Sequence, residues 1–154
     1  MKGRHQVILD TLRFASLLLT ALASGVVLSH VLERPGKLAL APATYVEVQQ
    51  TLFRTYGTAV GALETLALLT TAAWWALDRG WLVGVAALAE AAMIGIWAIW
   101  INPINQRVNR WRADHLPFDW ARLRDRWEML HTVRAILSLV ALCALLLTVS
   151  VVHS

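Results

Sequence analysis

Charge is scarce in this chain. Only 16% of its 154 residues are Asp, Glu, Lys or Arg, where a soluble domain carries about a quarter. A single cysteine excludes an intramolecular disulfide and any thiolate cluster for zinc or iron–sulfur. Eight Gly and four Pro beside eight Trp exclude a collagen-like, low-complexity or disordered chain. There is no phosphate-cradling glycine loop and no Ser/His/Asp arrangement. What the chain has in abundance is apolar surface, at 58% hydrophobic residues and a mean hydropathy of +0.56. The net charge of +4 could suggest nucleic acid, but the Arg residues cluster between long apolar segments and no nucleic-acid fold presents them. The sequence points to a single integral membrane domain over residues 1–154, with the lipid bilayer as a partner and nucleic acid not one.

Four runs carry that reading. Phe14 to Leu32 has no charged residue, Gly57 to Leu77 has Glu64 alone, Trp81 to Ile101 has Glu90 alone, and Ala135 to Val152 has none. About 20 apolar residues span a bilayer core, and lipid offers no partner to bare backbone groups, so such segments are helical. The first run is too long for a signal-peptide core and ends in His30 and Glu33, so it reads as retained. The expected fold is all-α: a four-helix antiparallel transmembrane bundle with helices near 8–33, 43–78, 81–101 and 117–152.

The connections differ between the two ends. Asp78-Arg79-Gly80 is a tight turn flanked by Trp74, Trp75 and Trp81, which suit the headgroup level. The opposite end holds two long connections. Asn102-Pro103 predicts a helix break and a short amphipathic helix from Pro103 to about Arg112. Leu116-Pro117 then opens the last helix, with Asp119 in its first turn. Four Lys and Arg residues lie toward the terminal end and ten toward the looped end. The positive-inside rule therefore points to a multi-pass protein of the cell membrane, with the looped end in the cytoplasm and both termini outside. Small residues at four-residue spacing, Gly57 and Gly61, then Ala87, Ala91 and Gly95, suggest close helix packing within the bundle, with a homodimer seam as the alternative.

The informative residues are ionisable groups in or beside the spans: His30, Glu33, Glu64, Glu90, Glu128, His131 and Arg134. Such groups are costly in hydrocarbon and face a bundle interior or cavity. At 100° per residue, Trp120, Arg124, Trp127, His131, Arg134 and Ser138 share one face of the last helix. The face through Gln49, Tyr56, Val60 and Glu64 is its candidate partner if that segment is one continuous helix. Three uses of the cluster remain open. The four Glu and two His match the ligand count of a di-iron carboxylate bundle, with His30, Glu33, Glu64, Glu128 and His131 as the ligands to consider. Glu90, about 16 Å from the looped end, lies too deep to join them. Buried carboxylates could instead pair with Arg and His as a structural network. Or the cluster could line a pocket, with no cofactor, for a hydrophobic small molecule.

A resemblance enters on particular residues. Asn102-Pro103-Ile104-Asn105, Asn109, Trp111, Leu116-Pro117, Asp119-Trp120, Arg126-Trp127, His131 and Arg134 resemble the hallmark of a family of small four-helix membrane proteins. The first-helix pattern from Gly25 through His30, Glu33 and Pro35-Gly36-Lys37, with Gln49, is similar to bacterial members. This is the anthrone-oxygenase-like family, also designated domain of unknown function 1772. The resemblance implies oxidation of an anthrone to an anthraquinone by molecular oxygen without metal or flavin, with Asn105, Trp127, His131 and Arg134 in the site.

Two classes of function follow. As an oxidoreductase, the protein would take a phenolic or quinone-like substrate from the lipid and stack it on Trp127 or Trp120. His131, held by Glu128 or Arg134, would remove a proton, and Arg134 or Asn105 would stabilise the resulting oxyanion. Arg124, His30, Glu33, Gln49, Tyr56 and Glu64 complete the candidate binding residues. Alternatively, the pocket binds or transports a lipid-like ligand without chemistry, or the protein is a structural subunit with a buried ion-pair network.

Overall fold

A computed structural model describes residues 2–52 and 56–152. Six helices account for almost all of them: α1 (Lys2–Leu38), α2 (Pro42–Leu52), α3 (Tyr56–Asp78), α4 (Trp81–Ile96), α5 (Asn102–Val108) and α6 (Trp120–Val152). A π-helical turn, Trp97–Ile101, joins α4 to α5. Among the described residues there is no strand, only an isolated bridge between Arg112 and His115. Four helical stretches are long and apolar enough to cross a membrane: Gly3–Leu38, Tyr56–Asp78, Trp81–Val108 and Trp120–Ser150. The molecule is thus an all-helical bundle with membrane-spanning character.

Packing closes the four long helices into a ring. α1 packs on α3 and α6, and α4 packs on the same two. The short α3–α4 turn makes those helices neighbours, as its length demands. Arg79 takes the left-handed conformation there, at φ 55°, while Gly80 is extended before α4. The core near this turn is apolar: Leu9, Trp74, Val83, Ala86, Ala141 and Leu145 pack together. Trp74 faces the bundle interior, unlike its neighbours. It is fully buried, and its indole Nε1 donates to Asp78 at 3.2 Å. Trp75 and Trp81 are exposed.

Several element boundaries differ from the sequence expectation, each for a local reason. α1 runs past Glu33 to Leu38 with Pro35 inside it, because a proline near a helix end removes one hydrogen bond without stopping the last turn. Asn102-Pro103 does not break the third span. The π turn widens the hydrogen-bond spacing there, with the Asn102 N–H reaching Trp97 O, and so accommodates a proline that an α-helical interior would reject. The short helix ends at Val108 rather than near Arg112. The last helix begins at Trp120, leaving Asp119 just ahead of it, where it pairs with Arg122 at 3.3 Å. The expected span 43–78 is described as α2 and α3; its continuity through Phe53, Arg54 and Thr55 lies outside the described residues.

The small residues do not pack as their spacing suggests. A Cβ added at Gly61 or Gly95 would meet nothing within 4 Å, and one at Gly57 would meet only the Trp97 ring, at 3.9 Å. Ala91 is exposed. The close contacts of α4 are made by the adjacent register, through Val83, Ala86 and Ala89.

Candidate functional site

Toward the looped end, the apolar core gives way to a column of buried polar groups. At its deepest level Thr20 Oγ1 donates to Glu90 Oε1 at 2.6 Å and Thr71 Oγ1 at 3.4 Å. Glu90 therefore finds partners on its own level and does not join the groups above it. The two hydroxyls serve one carboxyl oxygen without importing a second charge, while Glu90 Oε2 has no hydrogen-bond partner. Ser24 Oγ donates to the Ser138 carbonyl at 3.2 Å. Higher still, Arg134 of α6 forms a buried ion pair with Glu64 of α3.

One turn above Arg134 lies the centre of the cluster. Antiparallel α1 and α6 bring His30 and His131 level, with ring centroids 4.3 Å apart. The Trp127 ring lies tilted 4.0 Å from His131 and edge-on 5.3 Å from His30, and Tyr56 meets His30 edge-on at 5.7 Å. The Trp127 indole Nε1 donates to Asn105 Oδ1 at 2.7 Å, tying α6 to α5. These contacts follow from helical spacing, since Trp127, His131, Arg134 and Ser138 recur every three or four residues on one face.

At the looped end the cluster is closed by Glu128, 1% exposed. It accepts from the Tyr45 hydroxyl at 2.9 Å and pairs with Lys37 at 3.2 Å. Gln49 donates to the Tyr45 oxygen at 3.3 Å. Burial, then the adjacent Glu128 carboxylate, pushes the Tyr45 phenol up from its ordinary range, so it stays protonated and donates. Lys37 also sits 4.7 Å above the Trp127 ring, a cation–π arrangement. Neither Lys37 nor Tyr45 was among the residues the sequence reading selected. Lys37 lies seven residues after His30, only 20° away on a helix, and was missed because the helix was ended at Glu33.

Glu33 itself is exposed and outside the cluster; continuing α1 to Lys37 gives the inward position to that residue instead. Glu128 makes no hydrogen bond to His131: Tyr45 and Lys37 engage its Oε1, and Oε2 and both His131 nitrogens are unpartnered. Trp120 and Arg124 stack on one another at 4.9 Å, with Arg124 6.0 Å from the Tyr45 ring. They stand above the cluster, the former about 16 Å along the helix from His131. Among the described residues, no three His, Cys, Asp or Glu side chains converge as a metal-binding group. The five considered as di-iron ligands do not converge on one point: Glu33 is exposed, Glu64 is ion-paired with Arg134, and Glu128 is held through Oε1 by Lys37 and Tyr45.

The remaining candidates surround a cavity of about 400 Å³, within the range of small-molecule sites. Its walls are His30 from α1, Gln49 from α2, Tyr56, Val60 and Glu64 from α3, Trp97 from the π turn, Asn102 and Asn105 from α5, Asn109 just beyond it, and Trp127, His131 and Arg134 from α6. The faces of α6 and of Gln49–Glu64 thus meet across one space. His131 is 4% exposed, yet neither ring nitrogen has a hydrogen-bond partner. Arg134 Nε is likewise unpartnered. Buried polar atoms are nearly always paired, with protein or with ordered water, and these two residues on one cavity wall have hydrogen-bonding capacity left over.

No curated protein and no solved structure matches the chain. The family model described as anthrone oxygenase matches residues 44–144, a stretch that contains α3 to α5 and most of α2 and α6, and with them every cavity residue except those of α1. On that match, the chain belongs to the anthrone oxygenase family.

Proposed function

We propose that this protein is an oxygenase of the membrane, acting on a hydrophobic phenolic or anthrone-type molecule bound in the His131 cavity. The observation that carries the reading is His131 itself: a buried imidazole, unpartnered at both nitrogens, facing a cavity of substrate size. A neutral imidazole carries one bare ring nitrogen, which can accept a proton from a bound substrate. The acidic methylene of an anthrone loses a proton to His131, leaving a carbanion delocalised onto the ring oxygen. Arg134 Nε and the Asn105 amide, whose oxygen is already engaged by Trp127, stand as donors to that oxyanion. The carbanion reduces molecular oxygen and forms a C–O bond, giving a hydroperoxide after proton return. Loss of water then leaves the ketone. One oxygen atom enters the product and the other leaves as water. The reading calls on no cofactor, because the carbanion supplies the electrons. We also assign the looped end to the cytoplasm: with Lys37 and Arg134 counted as site residues, eight cationic side chains remain there against four at the other end.

The test is product labelling. Purified protein in lipid nanodiscs, supplied with an anthrone under ¹⁸O₂, is expected to yield a quinone carrying a single labelled atom at the former methylene. Unlabelled quinone, or an untouched anthrone, contradicts the proposal. Tight binding with no oxygen uptake would assign the cavity to carriage of a ligand instead.

A further inference from the structure

The cavity has a fastened roof and an unfilled side. Over its looped end, Gln50 of α2 donates to the carbonyls of Val108 and Trp111 at 2.8 and 3.0 Å, while Tyr45 and Lys37 hold Glu128. These bonds fasten α2 across the looped end, where Asn109 is the exposed residue of the cavity wall. On one flank, by contrast, the wall is the first two turns of α3, where Gly57, Thr58 and Gly61 face the cavity. Thr58 is exposed while lining it, so the cavity reaches the outer surface there. The opposite lip is formed by Trp97, Asn102 and Asn105.

Two glycines so placed are not explained by packing. A glycine in a helix interior weakens it, and one retained for close helix approach shows a neighbour where its Cβ would be. Gly61 shows none, and Gly57 only the Trp97 ring edge at ordinary contact distance. What side chains would fill at these positions is the opening itself. Beside the Trp97 lip, Ile99 and Trp100 on the π turn are exposed apolar groups, within a stretch apolar enough to span the bilayer. The opening therefore faces lipid.

We propose that Gly57 and Gly61 frame a lateral port through which a planar, multi-ring, oxygen-bearing molecule passes from the bilayer into the His131 cavity. A flat ring system slides past bare helix backbone where a branched or cylindrical acyl chain gains no fit. The Trp97 ring offers an aromatic surface on the other lip, and Asn102 and Asn105 meet oxygen at the molecule's edge. Gly61 is then a determinant of substrate width. At the inner end of the passage, His131 has hydrogen-bonding capacity left over for a ligand. The inference rests on the oxygenase reading but is tested separately from it.

The experiment measures association with protein in phosphatidylcholine nanodiscs, comparing a hydroxyanthracene with single-ring phenol, by energy transfer from Trp for the former and by competition for the latter. Gly61→Leu is expected to slow hydroxyanthracene association by about tenfold or more, the scale on which added bulk discriminates in an apolar pocket, and to leave phenol unchanged. Gly25→Leu, at an equally open position outside the cavity, is expected to change neither. Gly61→Ala, whose methyl meets nothing, is expected to show a smaller slowing in the same direction and carries the test if the leucine variant does not fold. Wild-type rates for hydroxyanthracene in the Gly61 variants, or equal slowing of both ligands, overturn the port and leave the oxygenase reading standing. Wild-type protein that binds neither ligand overturns both.

Discussion

His131→Ala is expected to lower oxidation of an anthrone by about 10²–10⁴-fold, the usual contribution of a positioned general base, while the protein stays folded. Both halves of that expectation come from the same geometry. His131 makes ring contacts with Trp127 and His30 but no hydrogen bond, so truncating it removes a reactive group without orphaning a partner. A purely structural histidine would behave oppositely. Its loss would leave a donor or acceptor unsatisfied and lower the melting temperature. Turnover by product absorbance and unfolding in detergent, measured on the same preparation, separate these outcomes. Near-wild-type turnover in a folded His131→Ala protein would remove His131 from the chemistry.

The second large effect concerns Glu64 and Arg134. Each is buried, and they pair with one another. Removing one partner leaves a charge stranded in the bundle, which costs about 3–5 kcal/mol. Arg134→Met and Glu64→Gln are each expected to melt early or aggregate. The double substitution Glu64→Leu with Arg134→Met removes both charges, and replacing a buried pair by apolar groups is often close to neutral, so it is expected to recover most of the lost stability. Turnover is not expected to return with it, because the donor Arg134 Nε is gone from the cavity. Recovery of both stability and activity in the double variant would make the pair structural only. Thermal unfolding of the three variants, with turnover on the folded ones, decides this.

How much of this was legible from sequence depends on which physical signal each residue carries. The four spans were legible because a bilayer imposes length and apolarity on any crossing helix. The convergence of His30, Glu64, His131 and Arg134 was legible for a related reason: ionisable groups are costly in lipid, and 100° per residue assigns them a common face. Glu33 and Lys37 were exchanged because that arithmetic is only as good as the helix boundary. The first span was expected to end near residue 33, and one further turn carries Lys37, not Glu33, onto the inward face. Glu128 was placed correctly in depth but given the wrong partner, since α2 brings Tyr45 from a segment with no strong periodic signal. Trp74 shows a limit of composition: an indole beside a turn suits a headgroup layer equally well as a core, and only packing against other helices, through Leu9, Ala86 and Leu145, buries it. Gly57 and Gly61 show another. Four-residue spacing of glycine describes two surfaces at once, one that touches a helix and one that touches nothing.

The central claim is that a buried, unpartnered imidazole in a membrane cavity directs oxygen onto an aromatic substrate. Oxygen consumption by folded wild-type protein in nanodiscs, given an anthrone, tests it most directly, with the corresponding anthraquinone, which has no acidic methylene, as the control. The account predicts uptake of one O₂ per anthrone consumed, above the rate of protein-free nanodiscs, and none with the anthraquinone. Uptake no faster than the protein-free background, from protein shown to be folded and to bind the anthrone, would contradict it.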